Sequence, residues 1–327
     1  GIRDRNVTGV QTWLFRSNPA VQSRFKTTSA FATLEPILES NKRIKEDGNS
    51  FLAKIIHHRA WFYTGIFFKN YFSHFNPEFL FFKGDINPRH STGEFGLLYL
   101  IEAPFLLAGF FFFLKNKQWQ LTPVFLWLFL APIPAGFTKA VPHGLRFLIS
   151  IPTLQILTAY GIVNVFSIHL GGVRKRHLRG IFYFSACLLF TVYCLLFTQY
   201  LHFYYKHYPE IFSQHWQYGY KEMVNFVLDN QDKYDKIYIS RNQGRPSIYY
   251  FFYGQINPKR VQEQDKTVLK DQGEHLKFEK IEFVLPPKGE IKAGSLVIIG
   301  GKENFEGKLI KQVCFLDGKI AFKVYEN

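Results

Sequence analysis

IFYFSACLLFTVYCLLFTQYL, residues 181–201, runs 21 positions without a charged side chain. A helix of that length rises about 30 Å, the thickness of the hydrocarbon core of a bilayer. Three more apolar runs precede it, at residues 96–114, 120–137 and 145–166. Glu102 and Pro104 interrupt the first, Pro123, Pro132 and Pro134 the second, and Pro152 the third. Proline is tolerated in a spanning helix where neighbours satisfy the carbonyl it frees, so these positions predict bent helices around a cavity. The expected fold is membrane α-helical, with about four transmembrane helices over 96–201, followed by a small soluble α/β domain over 202–327.

The flanks differ sharply in composition from this block. The chain has 327 residues with 40 Lys and Arg against 25 Asp and Glu, a formal charge of +15. In a membrane protein such a surplus points to anionic head groups and phosphate-bearing lipids rather than to nucleic acid. Within the block the basic residues are unevenly placed. Lys115 and Lys117 follow the first run, and Arg174, Lys175, Arg176 and Arg179 follow the third, whereas the connection after the second carries only Lys139. The positive-inside rule makes the first and third connections cytoplasmic. Four spans then predict a multi-pass inner-membrane protein with both terminal segments extracytoplasmic. Cys187 and Cys194 read as small apolar residues of one helix, and Cys314 stands alone. No disulfide framework or metal-ligand spacing results.

Residues 1–50 are polar with little periodicity and include a chance glycosylation sequon, Asn6-Val7-Thr8. Residues 51–95 form a second kind of segment. Phe51, Trp61, Phe62, Phe67, Phe68, Tyr71 and Phe72 alternate with Lys54, His57, His58, Arg59, Lys69 and His74. That is too polar to span and fits a helix or hairpin in the interface; the competing reading is an amphipathic helix packed on a soluble domain. In the tail, residues 220–230 read as a helix, 236–240 as a strand, and Pro246 as the first residue of another helix. Residues 278–284 and 295–299 read as strands, and the last strands as a hairpin with a two-residue turn, Asp317-Gly318. Ile299-Gly-Gly-Lys302 is no dinucleotide fingerprint. No cofactor is expected, and the sequence gives no sign of a divalent metal.

Two polar clusters stand at the ends of apolar runs. Lys83, Asp85, Arg89, His90 and Glu94 precede the first run in a loop rich in glycine, and Lys139, His143 and Arg146 lead into the third. The predicted topology puts both on one face. Arg, Lys and His together at head-group depth are what a lipid phosphate requires, Arg as a bidentate fork and Lys as a point charge. Asp85 and Glu94 are the candidate bases. His57, His58, His202 and His207 read as interfacial residues.

These stretches also resemble a known family. Asn70-Tyr-Phe-Ser-His-Phe-Asn-Pro-Glu-Phe-Leu-Phe-Phe-Lys-Gly-Asp85, Asn87-Pro-Arg-His-Ser91, Gly96-Leu-Leu-Tyr-Leu100 and Pro142-His-Gly-Leu-Arg-Phe-Leu148 with Pro152 are similar to the later half of bacterial polytopic glycosyltransferases. These are of the dolichyl-phosphate-mannose–protein mannosyltransferase type, glycosyltransferase family 39 in the GT-C superfamily. Tyr218-Gly-Tyr-Lys-Glu222, Tyr234-Asp-Lys-Ile237 and Pro246-Ser-Ile-Tyr249 resemble the outer α/β domain of such enzymes. The resemblance covers roughly residues 60–327. It implies transfer of a sugar from a polyprenyl-phosphate donor to a protein or glycan acceptor on the extracytoplasmic face. Arg146, His143, Lys139, Arg89, His90 and Lys83 would contact the donor phosphate. The family's acidic pair, in its first outer loop, has no counterpart, so the chain reads as the C-terminal portion of such an enzyme. The other readings are a non-catalytic membrane-anchored binding or assembly protein and, weakened by the few polar residues in the spans, a transporter.

Overall fold

The computed structural model describes residues 27–117, 119–171, 176–264, 270–271, 274–284 and 291–327. The sequon at Asn6 and the basic residues Arg174 and Lys175 lie outside the described residues. The chain divides into two compact units, Gly1–Thr198 and Gln199–Asn327.

In the first unit, helices α1 (Glu35–Glu46), α2 (Phe51–Ile56) and α3 (Arg59–Ser73) precede a π-helical turn at Glu78–Phe82. Ser50 caps α2 by accepting the Ala53 N–H at 3.1 Å. The polarity of α3 is inverted relative to a soluble amphipathic helix. Asn70 and Tyr71 are buried, whereas Trp61, Phe68 and Phe72 are exposed. That arrangement fits a helix whose outer face meets lipid or head groups.

Six helices follow: α4 (Glu102–Asn116), α5 (Thr122–Leu130), α6 (Ile133–Gly136), α7 (Gly144–Phe147), α8 (Ile151–Gly171) and α9 (Arg176–His202). Among the described residues, three helical stretches are long and apolar enough to cross a membrane: Trp119–Gly136, Gly144–Ser167 and Tyr183–Phe212. The most apolar 18-residue window of the third has no buried residue, a surface suited to lipid rather than water. The first predicted run behaves differently. Its helix starts only at Glu102 and has 15 residues, which gives about 22 Å against a core of about 30 Å.

Helix α4 nevertheless lies hard against α8. A Cβ on Gly109 would stand 2.1 Å from the Leu157 carbonyl oxygen, and one on Gly161 would stand 1.9 Å from that of Phe105. Small residues that let two backbones touch are the usual means of joining helices in lipid, where no hydrophobic force between them exists. Phe79, Leu106, Leu128, Phe147 and Leu157 fill the core beside this seam.

The second unit is α/β. Its six-stranded sheet has the order β4 (Lys277–Phe278), β5 (Ile281–Val284), β1 (Lys236–Ser240), β6 (Ser295–Gly300), β8 (Ile320–Glu326), β7 (Lys308–Cys314). Strands β2 (Lys270–Asp271) and β3 (Glu274–His275) pair separately. Strand β1 runs parallel to β5 and β6, and the other pairs are antiparallel. All six residues of β6 are buried, so this central strand is covered on both faces. Met223, Val224 and Val227 of α10 (Tyr220–Asn230) and Tyr250 of α11 (Pro246–Tyr253) supply part of that cover. The predicted helices and the strands at 236–240 and 295–299 are found, whereas the single strand expected over 278–284 is two, β4 and β5, folded back on each other at Glu279-Lys280, and the terminal hairpin is corrected. Phe315 N–H donates to the Lys319 carbonyl at 2.8 Å, which closes a three-residue loop over residues 316–318. Gly318 takes φ +81° there, the left-handed position that such a loop needs.

Candidate functional site

The two polar clusters meet within the first unit. Gly84 (φ +71°) starts the first loop; a Cβ there would stand 2.5 Å from Ser91 Oγ, so only glycine allows the loop to close on itself. Ser91 Oγ donates back to the Lys83 carbonyl at 3.1 Å, and Asn87 N–H donates to Asp85 Oδ1 at 2.8 Å. This folding turns the Asp85 carboxylate inward, where its side chain is only 5% exposed.

Asp85 then joins the second loop. Its Oδ2 accepts the Gly144 N–H at 2.7 Å and faces His90 Nδ1 at 2.9 Å. A carboxylate oxygen in that position orients His90 as the Nδ1–H tautomer. His143 Nδ1 lies 3.7 Å from the same oxygen, and the His90 and His143 rings stack with centroids 4.4 Å apart. His143 Nδ1 is buried without a hydrogen-bond partner. Burial, helped by the charge of Arg146, holds the His143 pKa below the ordinary imidazole value, so this ring is neutral at pH 7.

A third histidine holds the second loop from below. His74 is fully buried. Its Nε2 accepts the His143 N–H at 3.2 Å, so the proton is on Nδ1, which donates to the Asn70 carbonyl at 2.9 Å. Burial lowers its pKa as well. Asn70 Nδ2 donates to the carbonyls of Gly136 and Thr138 at 3.3 and 3.0 Å. Arg146 Nη1 donates to Thr138 Oγ1 at 2.6 Å and to the Ala140 carbonyl at 3.2 Å. The loop before α7 is thus fixed by groups from α3, from the first loop and from itself.

Of the residues picked from the sequence, Asp85, His90, His143 and Arg146 gather here. Lys83 does not: it pairs with Glu78 at 2.7 Å on the exterior, and that carboxylate raises its pKa. Glu94, Arg89 and Lys139 are exposed. His74 and Asn70 were not singled out as site residues. Both are polar residues on an aromatic helix, at the i, i+4 spacing that puts them on one face. That spacing is the signal that could have found them. No metal-ligand spacing is visible along the chain, yet Asp85, His90 and His143 offer donor atoms that all lie within 4.8 Å of one another.

In the second unit, Trp216, Tyr218, Asn225, Asp229, Tyr253 and Lys311 line a pocket of about 470 Å³. Aromatic faces beside amide and carboxylate groups suit a polyhydroxylated ligand. Comparison with protein-family models, with curated proteins and with solved structures finds no match.

Proposed function

We propose that the chain is a membrane glycosyltransferase of the lipid-linked-sugar type, or the C-terminal part of one. It would pass a sugar from a polyprenyl-phosphate donor to a protein or glycan acceptor at the extracytoplasmic face. The observation that carries this reading is the convergence of the 83–94 and 138–146 loops into one half-buried polar site at the start of the apolar stretch Gly144–Ser167. A lipid phosphate sits at that depth, and Arg146, His90 and His143 are the groups there to receive its oxygens. Asp85 has both oxygens engaged and serves as the anchor of the two loops. Glu94, exposed on the same loop, remains the candidate base.

The loop contact also supports the membrane topology. The chain leaves the first loop through α4, which ends at Asn116, and comes back through α5 and α6 to the second loop. Its excursion is therefore an out-and-back pair, with Lys115 and Lys117 at the far end. By the positive-inside rule that end is cytoplasmic and the polar site is extracytoplasmic. Reading α8 and α9 as two further spans extends the proposal to an extracytoplasmic C-terminal unit. Its aromatic pocket favours contact with a glycan, which would equally serve the second reading, a membrane-anchored glycan-binding protein without catalysis.

Titration of the detergent-purified chain with a polyprenyl-phosphate-linked sugar separates these readings. Binding is expected, and Arg146→Ala weakens it at least tenfold, about 1.4 kcal/mol. Absence of wild-type binding, or binding indifferent to Arg146→Ala, contradicts the donor site.

A further inference from the structure

We propose that Asp85, His90 and His143 form a binding site for one divalent transition-metal ion, with zinc the best match to its donors. Two imidazole nitrogens and one carboxylate oxygen are a donor set that suits zinc and its neighbours, whereas calcium and magnesium call for oxygen cages. This inference does not depend on the glycosyl-transfer reading.

Geometry supplies the first argument. His90 Nδ1 and His143 Nδ1 lie 2.9 and 3.7 Å from Asp85 Oδ2, and the three donor groups fall within 4.8 Å of one another. A tetrahedral zinc site with bonds of about 2.0–2.1 Å has ligand–ligand edges of about 3.3 Å. The observed separations bracket that edge, so small side-chain rotations bring the donors to coordination distance. Among the described residues this is the one such grouping of three.

The unmatched nitrogen is the second argument. His143 Nδ1 is buried with no hydrogen-bond partner, and an imidazole nitrogen is a common ligand of such metals. A cation beside Asp85 gives this nitrogen a partner. His90 meets the ion by moving its proton from Nδ1 to Nε2, a tautomer change that releases no proton.

The groups behind the donors are the third argument. Asp85 is held on both oxygens by the N–H groups of Asn87 and Gly144. The His143 backbone is held by His74, itself fixed on Asn70. Supporting hydrogen bonds of this kind orient metal ligands. The side chains of His143 and His90 are 12% and 17% exposed, which leaves a path for an ion. Three protein ligands leave a coordination position open. Arg146, three residues along from His143, donates to Thr138 Oγ1 and to the Ala140 carbonyl in the same loop. Its charge beside a bound cation makes an anionic oxygen, such as that of a phosphate, the favoured occupant of the open position.

The test uses the full chain, purified in detergent with a histidine-free tag and without chelator. Metal content is measured by mass spectrometry, and zinc affinity by competition with a chromophoric chelator. Cobalt substitution reports the geometry through its visible absorption. One zinc per chain and a tetrahedral cobalt spectrum are expected. His90→Ala and His143→Ala should each weaken zinc binding at least about 100-fold, while His207→Ala, in the second unit, leaves it unchanged. Size-exclusion profiles check that the variants remain folded. Substoichiometric wild-type zinc under saturating conditions overturns the proposal without reference to any variant. Stoichiometric zinc that survives both histidine changes also overturns it.

Discussion

Asp85 shows how one side chain can define a site. Its carboxylate collects N–H groups from Asn87 and Gly144 and faces His90. Asp85→Ala leaves the buried Gly144 N–H without an acceptor, and a loss of about 1–3 kcal/mol follows. It should appear as a lower thermal midpoint in detergent, larger than that for Lys83→Ala at the exposed pair with Glu78. Tyr220 makes the opposite case in the second unit. Its ring is buried, and its hydroxyl lacks a hydrogen-bond partner. Burial raises its pKa well above the ordinary phenol value. A group whose folded pKa is raised contributes stability below its unfolded pKa, near 10, and that contribution is lost as pH rises further. Tyr220→Phe should therefore leave stability at pH 7 unchanged or improved and should reduce the loss above pH 10. Tyr250, also raised by burial, keeps part of that loss. Thermal midpoints measured from pH 7 to 11 check both statements.

The seam of α4 and α8 carries the first unit at the scale of elements. Gly161→Ala places a Cβ against the Phe105 carbonyl and forces the helices apart, with a cost of about 1–3 kcal/mol from overpacking. Thermostability in detergent should fall, whereas Gly180→Ala, where nothing lies within 4 Å, should have no such effect. At this scale much of the fold was legible in the sequence. The apolar runs at 120–137, 145–166 and 181–201 are helices, and Pro246 opens one as its fixed φ predicts. Elements whose limits depend on tertiary partners were not legible. The first run lost its early residues because Leu98 N–H donates to the Leu80 carbonyl, which ties that stretch to the π-helical turn. Strand β7 starts at Lys308, whereas the sequence pattern places its start at Val313, because the edge residues Lys308, Leu309 and Ile310 are exposed and show no alternation. The site was legible as residue types but not as partners. His74 and Asn70 acquire their roles only when α3 meets a loop that lies about 70 residues further on.

For the molecule as a whole, the proposed function depends on which side of the membrane each segment occupies. The loops at 83–94 and 138–146 touch, so they share one side, and the residues between them turn around at Lys115 and Lys117. In the proposed topology, with positive charge marking the cytoplasmic end, that turn is cytoplasmic and the polar site extracytoplasmic. The exposed thiol of Cys314 lies in the second unit and should react from outside in the native chain.

The most direct measurement is labelling of single cysteines in intact cells with a membrane-impermeant thiol reagent, on a background with Cys187, Cys194 and Cys314 replaced by serine. The account predicts that Glu94→Cys and Lys139→Cys are labelled from outside, whereas Lys117→Cys is labelled only after the cells are permeabilised. Labelling of positions 94 and 139 from opposite sides, or of position 117 together with them, would contradict a single extracytoplasmic site built from the two loops.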